Sequence, residues 1–356
     1  MSPAKLQEWF PWTQSPIISN GPMMGVVNPK LAAEVTKAGG LGFLPCVFDI
    51  APNSEHLSTL TTNLKESRSI LGLNPSDTLN LGISFLTGHG SITNFSETII
   101  PIVAEYRPAA VWLFAPNEDV KPHGAIIQAL KKLDHSPRVF VQVGNVAAAR
   151  AAVRDGADVL VCQGIDAGGH QFRRGMGVVS FVPEAKAMLE EEFAGREVGV
   201  FAAGGIVNGK GVAAAMALGA GGVVMGTRFT VARESTYPDF RKEIVLKAVD
   251  GGSSTFKSPF NDEINNSALF DTLWGTHYDG RSIITSIHEK FLAGSTLQEL
   301  QKSLKEDYSS EESMRLINTW AGTGVGLVNT ALPAGEIVKE VREDAKETIR
   351  NLAAQL

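Results

Sequence analysis

Short apolar runs rich in Val, Ile and Phe recur along the first two thirds of the chain, separated by helix-length amphipathic stretches. The runs predict strands near Ile17–Ile18, Leu41–Pro45, Leu79–Leu86, Ala109–Phe114, Arg138–Val143, Ala157–Cys162, Glu197–Ala202 and Gly222–Met225. The stretches between them predict helices near Asn28–Ala38, Ser54–Leu71, Ser91–Tyr106, Asp119–Leu133, Val146–Asp155, Val182–Glu192 and Gly209–Leu218. Strands that are apolar throughout belong to a parallel sheet covered by helices. Eight such units over about 225 residues are the number that closes a (β/α)8 barrel. Local signals agree: Asn145 is placed to cap the helix from Val146, and Gly156 and Gly219 to end helices.

The pattern breaks after Arg228. Residues 232–318 are more polar and carry the breakers Pro238, Gly251-Gly252 and Pro259. Helices are expected near Phe240–Val249, Ile284–Leu292 and Leu297–Ser303. The expectation is therefore an α/β protein: a TIM barrel over 1–231, with a smaller, mainly helical substrate or lid domain over 232–318, inserted after the eighth strand. Residues 319–356 would return to the barrel, through Trp320–Gly326 and an amphipathic helix near Ala334–Ala353.

Composition adds one deviation. Of 356 residues 44% are hydrophobic and 20% charged, which is ordinary, but 36 are glycine. That is about one in ten, against roughly 7% usually. There is no Gly-X-Y period, so the glycine clusters read as tight turns or as backbone brought close to a ligand. A net charge of −6 argues against a nucleic-acid surface. No run of 18 apolar residues predicts a membrane span. Residues 1–10 lack the pattern of a secretory signal. Cys46 and Cys162 have no metal-type spacing, the carboxylates form no metal cluster, and two cysteines suit a reducing, cytoplasmic compartment. The final Ala354-Gln355-Leu356 only loosely resembles a peroxisomal address, since the basic middle residue is missing.

Ligand chemistry in a (β/α)8 barrel sits at the C-terminal strand ends. Glycine collects there: Gly21-Pro22-Met23-Met24, Thr87-Gly88-His89-Gly90, Gly164 to His170, Ala203-Gly204-Gly205-Ile206 and Gly226-Thr227-Arg228. Gly204-Gly205 and Gly226-Thr227 follow the seventh and eighth strands, where bare amides commonly hold a phosphate, and the helix after Asn208 would add its dipole. As tight turns they would need no ligand. His170 follows a strand behind two glycines and has the chemistry of a general acid–base. His89 also follows a strand but in a more ordinary setting, and His277 lies in the presumed lid, placed to reach substrate. Asp166 is placed to orient His170 or an arginine, or to stand exposed. Gln142 is polar inside an apolar strand and needs a partner, either a cofactor edge or a neighbouring strand. No GxSxG, P-loop or HExxH motif occurs, and Gly322-x-Gly324-x-Gly326 is not a dinucleotide fingerprint.

Taken together, several segments resemble the nitronate monooxygenase family, formerly called 2-nitropropane dioxygenases. They are Gly21-Pro22-Met23, Asn28 to Gly42, Gln163-Gly164 with Ala167-Gly168-Gly169-His170, Ala203-Gly204-Gly205-Ile206, Met225-Gly226-Thr227-Arg228-Phe229, and Trp320 to Leu327. The resemblance implies a TIM barrel with one non-covalent FMN. Met23, Met24 and Gln142 would contact the flavin, Gly168 and Gly169 would approach its ring, and Gly204, Gly205, Gly226 and Thr227 would hold its phosphate. His170 would be the catalytic base. The implied reaction converts a nitronate and O2 to a carbonyl compound and nitrite, and a homodimer is compatible with it. The resemblance extends to NAD(P)H-dependent FMN reductases of quinones or enoyl thioesters on the same scaffold, and to a flavin-binding protein with little turnover. Three positions depart from the family pattern: Ile165-Asp166 where glutamate is usual, Ser19-Asn20 in place of a glutamine-alanine pair, and Thr323 where glutamine is common.

Overall fold

The computed structural model describes residues 3–265 and 273–355. Each apolar run forms a strand: β1 (Ile17–Asn20), β2 (Phe43–Val47), β3 (Leu79–Leu86), β4 (Pro108–Phe114), β5 (Arg138–Val143) and β6 (Val159–Gln163). After an intervening strand β7 (Gly169–Phe172) come β8 (Gly199–Ala203) and β9 (Gly222–Met225). All but β7 join in parallel in the order β1-β9-β8-β6-β5-β4-β3-β2. A bridge from Ser19 to Leu41 then brings β1 beside β2. The result is the expected (β/α)8 barrel. Its strands are mostly apolar because both faces are covered, and β4 is buried at every position.

Aromatic rings fill the barrel. Phe43 meets Trp112 edge-on at 5.1 Å and Phe140 at 5.3 Å, and Phe140 meets Phe201 at 5.4 Å. Phe10, following the helix Pro3–Trp9, packs on Phe140 from one end. Two strand glycines make room for the rings: a Cβ at Gly82 would lie 2.2 Å from the Phe43 ring, and one at Gly222 2.6 Å from that of Phe201.

The seam between β1 and β2 is closed by side chains. Asn20, fully buried, accepts the Phe43 N–H (3.0 Å) and donates to the Phe43 carbonyl (2.9 Å). Ser19 donates to the Leu41 carbonyl at 2.6 Å. The departure at Ser19-Asn20 thus has a structural role in this chain.

The helix Val146–Asp155 has the expected ends: Asn145 accepts the Ala148 N–H, and Gly156 adopts the left-handed conformation. Two helices start four residues later than expected. One runs His123–Lys131, and the other runs Phe95–Tyr106 because Gly90–Asn94 forms a 3-10 turn, started by His89, whose Nδ1 accepts the Ser91 N–H.

Beyond residue 232 the expected helices lie at Asp239–Lys247, Ser286–Leu292 and Leu297–Glu306. Two strands were not legible there, β10 (Thr255–Ser258) and β11 (Tyr278–Ile283). They are short and mixed in polarity, so no clear period marks them. β11 pairs antiparallel with both β10 and β7. The segment around His170, expected as a loop, is therefore in part a strand. The helix Ala334–Ala353 returns to the barrel and packs on Gly209–Ala217 and Pro29–Lys37. Its buried Arg342 donates to the carbonyls of Ala38 and Gly39 at 2.8 and 2.7 Å. Among the described residues no helix is long and apolar enough to cross a membrane.

Two buried histidines make the fold acid-sensitive. Burial holds His123 and His288 near pKa 4, against an ordinary 6.5. His123 bonds Thr87 at 2.8 Å, and the Nε2–H of His288 donates to Asn261. Both are neutral when folded and take up a proton more readily when unfolded. The stability they contribute is therefore intact above pH 6.5 and lost as pH falls toward 4. The loss is on the order of 3 kcal/mol for each, from a shift of about 2.5 units. Urea midpoints measured from pH 7.5 to 4 are expected to hold down to about 6.5 and then drop. Constant midpoints across that window would contradict neutral burial.

Candidate active site

A cavity of about 330 Å³ opens at the C-terminal ends of the strands. The expected site residues converge on it: Met23 and Met24 after β1, Gln142 in β5, Gly168, Gly169 and His170 around β7, Gly204 and Gly205 after β8, and Gly226 and Thr227 after β9. Its remaining wall is mostly apolar, including Trp112, Phe114, Tyr237, Trp274 and Trp320. Among the described residues no Lys, Arg, Asp or Glu lines it.

His170 sits at the centre of the polar chemistry. Its ring stacks on Trp274, with centroids 3.7 Å apart and planes 6° apart, and lies 4.9 Å from Trp320. Its Nε2 is 2.7 Å from a carboxylate oxygen of Asp262. Of the places the sequence leaves open for Asp166, orienting His170 is the one the structure does not show. Asp166 instead accepts the Thr323 hydroxyl at 3.2 Å, and its carbonyl accepts the Thr323 N–H at 2.9 Å. Two of the positions that depart from the family pattern are thus bonded to each other. His89 and His277 do not line the cavity. His89 caps its turn, and His277 stands 60% exposed, 4.0 Å from Glu118.

The two glycines before His170 have different reasons. A Cβ on Gly168 would lie 2.4 Å from the Ala321 carbonyl carbon, so close chain packing demands this glycine. Gly169 has φ +67 and open space beside it, which leaves room for a ligand.

At the strand ends, the amides of Gly204, Gly205, Gly226 and Thr227 donate to no protein acceptor among the described residues. Thr227 accepts the Gly322 N–H at 3.0 Å, so its own hydroxyl proton is left to donate. The helix Gly209–Ala217 contributes less than expected. Its first amides are taken by Asn208 and by the Asp344 carboxylate, the latter at 2.8 Å from the Gly209 nitrogen. Gln142 accepts from the Trp112 indole at 3.2 Å, which is the neighbouring-strand partner considered above. Its amide nitrogen has no partner among the described residues. Ser84, Gln163 and Trp274 also line the cavity and hold buried polar atoms without partners. A binding site built of unused donors, apolar walls and a histidine fits a bound cofactor with a phosphate.

Other titratable groups are quiet. Burial pushes the Cys46 thiol up to about 12, so it is no thiolate nucleophile near pH 7. Burial likewise raises Tyr237 to about 12, and its oxygen accepts the Trp320 N–H. No group of His, Cys, Asp or Glu among the described residues is arranged to hold a metal.

Sequence reasoning missed Asp262, Trp274, Trp320 and Tyr237. Trp320 lay inside a quoted segment, but the other three carry no local motif.

Fold and site together define a β/α-barrel enzyme whose histidine faces an apolar cavity rimmed with bare amides. The chain belongs to the nitronate monooxygenase family: the model of that family, described as nitronate monooxygenase, matches residues 91–344. A nitronate monooxygenase of Neurospora crassa is 46% identical, aligned over 98% of this chain and 94% of its own. Another, from Metarhizium robertsii, is 32% identical over 99% and 97%. Among solved structures, FabK of Thermotoga maritima superimposes with a TM-score of 0.73 at 23% identity, over 99% of both chains. A nitroalkane oxidase of Streptomyces ansochromogenes gives 0.70 at 21% identity, over 98% of this chain and 99% of that one. At these identities the structural likeness establishes the barrel. The family is one of oxidoreductases and implies a flavin.

Proposed function

We propose that this chain is an FMN-dependent nitronate monooxygenase, oxidising alkyl nitronates, and neutral nitroalkanes after deprotonation, with O2 to a carbonyl compound and nitrite. The observation that carries this reading is the convergence of His170 and the four unused amides on one apolar cavity, in a chain 46% identical to a nitronate monooxygenase. In it Gly204, Gly205, Gly226 and Thr227 hold the FMN phosphate through backbone N–H groups and the threonine hydroxyl. Met23, Met24, Gln142 and Gly169 border the ring, with Gly168 holding the adjoining chain in place. Bound there, FMN supplies the electron transfer between nitronate and O2. His170 takes the α-proton of a neutral nitroalkane or, when protonated, holds an anionic nitronate. Residues 232–318 act as the lid that brings Trp274 over His170 and excludes water.

Anaerobic mixing tests the reading. Propyl-2-nitronate is expected to bleach the flavin's visible absorbance, and NADH or NADPH to leave it unchanged. Rapid bleaching by a nicotinamide nucleotide alone would replace this function with a flavin reductase.

A further inference from the structure

We infer that Asp262 is a positioning residue for His170 in proton abstraction from neutral nitroalkanes, an inference that rests on the function proposed above. The two side chains meet at 2.7 Å although 92 positions apart, and are only 11% and 12% exposed. Water therefore screens the pair little. Trp274 fixes the face of the imidazole by stacking, and the carboxylate fixes its edge.

The placement of Asp262 is itself built. Its neighbour Asn261 is fully buried and donates to the carbonyls of Phe256 and Gly280, both at 2.9 Å. The Asn261 amide oxygen accepts from Ser282 and His288, both at 2.8 Å. Gly280 is also the residue of β11 paired with His170 in β7. Base and carboxylate are thus both referenced to Gly280, one by the sheet ladder and one through Asn261.

In the step itself the α C–H bond of the nitroalkane breaks. Its electron pair moves onto the nitro group, giving the nitronate, and the proton passes to the His170 ring. The imidazolium then lies against an ionised carboxylate, which stabilises it and holds the ring in place. A preformed nitronate has already lost this proton. Removing the Asp262 charge should therefore slow the neutral substrate far more than the anion.

The test is Asp262→Asn, nearly isosteric, in the flavin-loaded enzyme, with nitroethane and ethyl nitronate as paired substrates. The ratio of kcat on nitroethane to kcat on the nitronate is expected to fall about 30- to 100-fold, within the range general-base catalysis supplies. The kinetic isotope effect with α-deuterated nitroethane should rise as C–H cleavage becomes more rate-limiting. Asp262→Glu, which restores the charge at a different reach, should recover part of the ratio. An equal loss on both substrates, or none, would overturn the inference, as would an unaltered isotope effect. A wild type that oxidises the nitronate but not nitroethane also overturns it while leaving the proposed function standing. Failure of the wild type with the nitronate overturns both. Should Asp262→Asn purify without flavin, Asp262→Glu decides by the same ratio.

Discussion

Gly205→Asp is expected to give a folded but colourless protein. Gly205 has φ +73 and its amide is one of those assigned to the FMN phosphate. A left-handed residue with a Cβ costs about 1–2 kcal/mol, somewhat less for aspartate. The new Cβ would also lie 3.1 Å from that of Asp166, beside an existing carboxylate. The larger effect is charge. Two like unit charges 4 Å apart repel by about 4 kcal/mol at an effective dielectric of 20, roughly a thousandfold in affinity. Gly205→Ala, which carries the backbone strain without the charge, should lose much less. Flavin absorbance per polypeptide and titration of apoprotein with FMN measure both. A yellow Gly205→Asp protein with one FMN per chain would refute the phosphate placement.

The second large effect is His170→Asn, expected to retain FMN and to lose roughly 10²- to 10⁴-fold of the activity on neutral nitroalkanes. Asparagine is short of the imidazole's reach and has no basic nitrogen near neutral pH. Its amide does not extend to the Nε2 position, so the Asp262 carboxylate loses this partner, at an expected cost on the order of 1–3 kcal/mol that the fold should survive. Nitronate oxidation should suffer less, since the proton is already gone. Stopped-flow reduction with each substrate separates the two. Wild-type rates of nitroalkane reduction in this variant would remove His170 as the base.

Much of this was legible in the chain because the barrel is written in local patterns. Eight apolar runs became eight barrel strands, and glycines after the first, sixth, seventh and eighth of them became cavity wall, while Gly88 and Gly90 after the third did not. Asn145 and Gly156 act as caps for reasons that lie within four residues of each helix end. The unreadable parts are set by contacts between distant segments. Gly168 is required by Ala321, Asp166 is turned aside by Thr323, and the helix start at Gly209 is occupied by Asp344. Asp262 reaches His170 only because β10 and β11 extend the sheet begun by β7. Those strands read Thr-Phe-Lys-Ser and Tyr-Asp-Gly-Arg-Ser-Ile, in which neither alternation nor a continuous apolar run stands out.

The joint at Asn20 sets this barrel's tolerance to mutation. Seven pairs of neighbouring barrel strands are held by backbone ladders, which most substitutions leave in place because every residue but proline offers the same N–H and C=O. The eighth pair has one backbone bridge, and Asn20 supplies both a donor and an acceptor to Phe43. Replacing that single amide would strand the Phe43 N–H and C=O in the core at once. The circle is redundant in its backbone almost all the way round, and at this one place its closure leans on two adjacent codons, those of Ser19 and Asn20.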